Sequence, residues 1–93
     1  MVKSAAKYLV QGTVQGVFFR QFVKENADKL QLKGYVRNSE SGDVEVLAEG
    51  EKENLANFKA ELKKGPPHSQ IRNVSVEDKN FSGDFKEFKV IRF

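Results

Sequence analysis

From position 7 to 14, Tyr8, Val10 and Val14 fall at even spacing and Lys7, Gln11 and Thr13 take alternate positions, the period of a half-buried strand. Gln15-Gly16 breaks it. The period then changes: Phe19, Phe22, Val23, Ala27 and Leu30 follow one face of a helix, with Lys24, Glu25, Asp28 and Lys29 between them, which predicts a helix over 19–32. Residues 33–38 predict a second strand, Asn38-Ser39-Glu40-Ser41-Gly42 a turn, and 43–49 a third strand with Val44, Val46 and Ala48 set against Asp43, Glu45 and Glu49. These two strands form a hairpin. Leu55, Phe58 and Leu62 mark a second amphipathic helix, ended by Gly65-Pro66-Pro67. A fourth strand over 71–77, a turn at Ser82-Gly83-Asp84 and a short strand over 85–93 complete the chain.

The order β-α-β-β-α-β predicts an α+β, ferredoxin-like sandwich, with two helices on one face of an antiparallel sheet and a short terminal strand. With 93 residues there is room for one domain, 1–93, and residues 1–6 read as a flexible N-terminal arm. There is no Cys, which removes disulfides, thiolate metal sites and a sulfur nucleophile together. No apolar run has the length of a signal peptide or a bilayer span, so the expected location is cytoplasmic. Asn73-Val74-Ser75 and Asn80-Phe81-Ser82 are then sequons without a use. A net charge of +3 suits an anionic partner without choosing between a phosphate and a nucleic acid.

In the predicted topology the first two strands run the same way with the third between them. Their ends emerge on one edge, roughly 10 Å apart, where Arg20 and Asn38 converge. Gln15-Gly16-Val17-Phe18-Phe19-Arg20 joins the strand end to the helix start, where unpaired backbone N–H groups and the helix dipole favour an anion. Gly16 allows the backbone to curl into a concave nest, and Gly12 allows close backbone approach before it. Such a turn is by itself a weak signal.

Arg20 is more informative, because a cation in the first helical turn opposes the macrodipole. Either an anion held jointly by a bidentate guanidinium and the N–H groups offsets that cost, or the side chain swings into solvent or pairs with a Glu. Asn38 likewise has two readings. It is a turn residue bonded to its own backbone, or its carboxamide positions a water for attack on a phosphorus bound by Arg20.

Val10-Gln11-Gly12-Thr13-Val14-Gln15-Gly16-Val17-Phe18-Phe19-Arg20 resembles the first signature segment of the acylphosphatase family. Gly34-Tyr35-Val36-Arg37-Asn38, with Gly42, Val44 and Gly50 beyond it, resembles the second. At average residue frequencies Gly12, Val14, Gln15, Gly16, Val17, Phe19 and Arg20 agree by chance less than about once in 10⁸ starts. The resemblance implies hydrolysis of the carboxyl–phosphate bond of acyl phosphates to a carboxylate and inorganic phosphate. It also implies that Arg20 binds the phosphate with the Gln15 to Arg20 segment and that Asn38 orients the attacking water. Such a reaction needs no general acid, because its leaving group is a weakly basic carboxylate. A metal-independent monomer without cofactor is therefore expected.

His68, the only histidine, follows Gly65-Pro66-Pro67 and is expected in an exposed loop away from the chemistry. Val17 and Phe18 are expected to wall the site, and the other phenylalanines to fill the core. RNA-recognition domains share this element order, but their third strand carries a basic and aromatic stacking motif. Here Asp43-Val44-Glu45-Val46-Leu47-Ala48-Glu49 is acidic and has no aromatic, so no nucleic-acid partner is expected. A module that binds an acyl or carbamoyl phosphate without releasing it, inside a larger enzyme, is the other alternative.

Overall fold

The structure, a computed structural model, describes residues 2–13, 17–67 and 69–91, with the side chains of residues 13 and 17 left aside. Its elements are β1 (Lys3–Thr13), α1 (Val17–Lys29), β2 (Lys33–Asn38), β3 (Val44–Glu51), α2 (Lys52–Lys64), β4 (Gln70–Lys79) and β5 (Phe88–Val90). The strands form one sheet in the order β4-β1-β3-β2-β5. Neighbours among the first four are antiparallel, and β5 joins β2 in parallel, so the predicted antiparallel sheet gains a parallel edge.

The alternation read from the sequence becomes a division between two faces. Ala6, Tyr8 and Val10 of β1, Val36 of β2 and Val44, Val46 and Ala48 of β3 are buried together with Phe19, Val23 and Ala27 of α1 and Leu55, Phe58 and Leu62 of α2. Tyr8 and Phe58 meet edge to face with ring centroids 5.5 Å apart, and Phe88 follows at 6.3 Å from Phe58. The Tyr8 hydroxyl donates to the Leu55 carbonyl at 3.1 Å, and burial pushes its pKa up to about 12.

Residues 3–6 are not an arm. They pair with β3 from Lys3 against Glu51 onward, and Ala5 and Ala6 are buried, which fixes the strand four residues earlier than the alternation predicts. Helix α1 ends at Lys29 rather than at 32 because Gln31 takes a positive φ of 57°. The Gln31 N–H donates to Asp28 O and the Leu32 N–H to Ala27 O, the paired bonds that close a helix C-terminus and return Leu32 to the core.

The connection after β4 lies on the helix-free side. Glu49, 3% exposed, accepts from the Ser82 N–H at 2.9 Å, the Ser82 hydroxyl at 2.8 Å and the Gly83 N–H at 3.0 Å. The final strand is consequently short, because residues 85–87 belong to this connection, and only then does Phe88 drop into the core.

Candidate active site

Strand β3 lies between β1 and β2, so the ends of those two strands emerge on one edge, two inter-strand spacings or roughly 10 Å apart. Asn38 is the last residue of β2, pairs with Val44, and shares the helix-side face with Val36. Three residues separate the end of β1 from the start of α1, whose first turn carries Arg20, and α1 packs on that same face. The two sequence candidates therefore belong to one edge and one face.

Both carry an unsatisfied polar atom. Arg20 Nε and Asn38 Oδ1 are buried with no hydrogen-bond partner among the described residues. A buried orphan costs about 1–3 kcal/mol, and few are tolerated in a folded protein. Here one is a cationic donor and the other an acceptor, the complement of an anion with a water beside it. Arg20 Nε therefore pairs with no carboxylate among the described residues, and Asn38 Oδ1 is not bonded to its own backbone.

Val17, Phe18 and Phe19 form the opening of α1, and by helix geometry their N–H groups have no acceptor inside the helix. The Phe19 side chain is in the core, so any part it has in anion binding is through its backbone. Phe18 is 88% exposed. Gln15 and Gly16, the centre of the predicted phosphate loop, and His68 lie outside the described residues.

Two glycines of the signature segments have a steric reason. Gly12 has φ 140° at a register shift between β1 and β4, where a Cβ would meet the Gln70 carbonyl oxygen well inside contact distance. Gly34 has φ 144°, and its Cβ would meet the Leu47 carbonyl oxygen of β3 in the same way. Both hold the strands that lead to the site close to their neighbours.

The pattern assigns Gln11 and Glu45 only to the polar side of their strands, yet both buttress this edge. Glu45, 8% exposed, accepts from Arg37 Nε at 2.6 Å and pairs with Lys7 Nζ at 3.1 Å, tying β1 and β2 to β3 one residue from Asn38 and Val44. The Arg37 bond, with help from Lys7, holds the Glu45 carboxyl below the usual carboxylate range. Gln11 Nε2 donates to Asp43 Oδ2 at 3.4 Å, and Ser41 Oγ donates to the same oxygen at 3.2 Å, so the turn that follows Asn38 is moored to β1. A cation and a carboxylate on facing strands are the one signal in the sequence that points to the Glu45 pairs.

Among the described residues no group of three or more His, Cys, Asp or Glu is placed to hold a metal ion, and no helix is long and apolar enough to cross a membrane. Residues 6–90 match the acylphosphatase family model. The chain is 45% identical to an acylphosphatase of Dehalococcoides mccartyi over 85 residues, covering 90% of this chain and 93% of that protein. It is 49% identical to an acylphosphatase of Koribacter versatilis over 84 residues, covering 90% and 76%. Among solved structures it superposes on the acylphosphatase from Bacillus subtilis with a TM-score of 0.90 at 37% identity, covering 96% of this chain and 99% of that one. It also matches a segment of full-length HypF in the phosphate- and nucleotide-bound form, with a TM-score of 0.88 at 36% identity, covering 98% of this chain and 12% of that one.

Proposed function

The chain belongs to the acylphosphatase family and is a hydrolase of acyl phosphates, and on that footing we propose that Arg20 binds the substrate phosphate and Asn38 orients the water that attacks it. The observation that carries this reading is the pair of buried orphans at one sheet edge, a donor on Arg20 and an acceptor on Asn38. A guanidinium whose Nε is free offers a charge-assisted hydrogen bond to a phosphate oxygen, and the N–H groups opening α1, with the Gln15 to Gly16 segment before them, supply further donors. A carboxamide oxygen with no partner among the described residues accepts a hydrogen bond from the water and leaves the water's lone pair directed at phosphorus.

The chemistry asks for little more. Water attacks phosphorus as the bond to the acyl oxygen breaks, and the carboxylate leaves without protonation because it is a weak base. Charge spread over the equatorial oxygens of the loose transition state is met by the guanidinium and the amide dipoles. The proton released by the water passes to a phosphate oxygen. The protein acts as a cytoplasmic monomer on a small anion.

The test is phosphate release from benzoyl phosphate by purified protein in excess chelator, with Asn38→Ala beside the parent. The variant should lose turnover by about 10²–10³-fold and keep its competitive affinity for inorganic phosphate, since binding and water placement fall to different residues. Equal loss of both in a folded variant would make Asn38 a structural turn residue. The HypF likeness favours a second reading, binding without release, which predicts phosphate affinity with no turnover in the parent protein.

A further inference from the structure

Glu45 stands one row behind Asn38, on the opposite face of the sheet. Val44, the first residue of β3, lies between Val10 of β1 and Asn38 of β2, and in the next row Glu45 lies between Leu9 and Arg37. Val44 is in the helix-side core, so Glu45 faces the helix-free side. There its two oxygens divide between the flanking strands. Oε1 pairs with Lys7 Nζ of β1 at 3.1 Å, and Oε2 accepts from Arg37 Nε of β2 at 2.6 Å and from the Tyr35 hydroxyl at 3.4 Å. Because Glu45 is buried, these charge-assisted bonds are little screened by salt.

The two strand ends do not depend equally on this bridge. Beyond Val10, β1 stays paired with β4 as far as Thr13 against Gln70, so the segment that leads to Arg20 is held from its other side. Strand β2 has less support: its pairing with β5 runs from Gly34 to Val36 and stops two residues short of Asn38. Without the carboxylate, Lys7 and Arg37 are two cations drawn toward one point, and their repulsion falls on the less supported end.

We infer that Glu45 is a positioning residue for the hydrolysis: its bridge from Lys7 to Arg37 fixes where Asn38 holds the water relative to the phosphate seat, and so governs turnover without governing phosphate affinity. This rests on the roles proposed for Arg20 and Asn38. Glu45 touches neither the substrate nor the water. It acts through the end of β2.

The experiment measures kcat for benzoyl phosphate and competitive inhibition by inorganic phosphate in the parent, Glu45→Gln, Asn38→Ala and the double variant, with thermal unfolding to confirm that each is folded. Glu45→Gln should lower kcat by about 10–10²-fold, the effect of a displacement of about 1 Å at the reacting centre. Its inhibition constant for phosphate should stay within about twofold of the parent's, and in the Asn38→Ala background the same substitution should cost less than about twofold in kcat. Losses that multiply in the double variant, or a phosphate affinity that falls with kcat, overturn the inference and make Glu45 a general support of the fold. If Glu45→Gln does not fold, Arg37→Gln should reproduce its pattern and Arg37→Lys, which keeps a cation for the carboxylate, should restore most of the turnover; parental kcat in Arg37→Gln overturns the inference. Parental turnover in Asn38→Ala overturns the reading of Asn38, and this inference with it, whereas parental turnover in Glu45→Gln overturns this inference alone.

Discussion

Replacing Arg20 with Met should make the protein more stable and nearly inactive. Arg20 Nε is buried with no partner among the described residues, and the guanidinium charge sits in the first turn of α1, where the helix dipole opposes it. Methionine removes both liabilities and keeps an unbranched apolar stem of similar reach. The orphaned donor accounts for about 1–3 kcal/mol and the dipole for about 0.3–1 kcal/mol, so a net gain of about 1–3 kcal/mol remains after some loss of packing. For a domain of this size that is a rise in melting temperature of about 5–15 °C. Turnover should fall by about 10³-fold or more, since in the proposed mechanism the guanidinium meets the charge of the transition state. Thermal unfolding with and without inorganic phosphate separates the two effects. At 100 times its Kd, phosphate should stabilise the parent by about 2.7 kcal/mol and the variant far less, so the order of melting narrows or reverses as phosphate is added. A variant that melts below the parent in phosphate-free buffer, and that gains as much from phosphate, would refute the reasoning and make Arg20 a structural residue.

Gly34→Ala should destabilise the fold by about 2–4 kcal/mol in denaturant titration, because alanine meets both a positive φ of 144° and the Leu47 carbonyl; a loss under about 0.5 kcal/mol would contradict this. Tyr8 titrates near 12 when folded against an ordinary 10, so its neutral phenol contributes stability that is complete below pH 10 and lost as pH rises toward 12. That change is about 2–3 kcal/mol, and in urea titrations from pH 9 to 12 the Tyr8→Phe variant should lack it; equal slopes in both proteins would assign alkaline unfolding elsewhere.

The sequence made β2 legible to the residue, and α2 nearly so, because each has an unbroken period bounded by a turn residue at its end. It also put the ends of β1 and β2 on one edge, since that follows from strand order alone. What escaped it depends on partners remote in the chain. Glu45 and Glu49 occupy polar positions of an alternating strand, and nothing local says that Arg37 and Lys7, or Ser82 and Gly83, arrive to bury them. The end of α1 escaped because Gln31 adopts a left-handed conformation more typical of Gly or Asn. The early start of β1 escaped because Ser4-Ala5-Ala6 carries no strong strand propensity and is held by pairing with β3.

The strand order has a kinetic consequence. Only β2 and β3 are paired with a neighbour in sequence; β1 docks between β3 and β4, and β5 returns to β2 across the molecule. The hairpin of β2 and β3 closes a short loop and is a natural nucleus, but it holds Asn38 without Arg20. Joining them requires β1 to insert beside β3, a non-local step whose loop-closure entropy must be met before its contacts form. During refolding, hairpin and helix signals should therefore recover ahead of turnover, and the return of catalysis reports the docking of β1 rather than the formation of secondary structure.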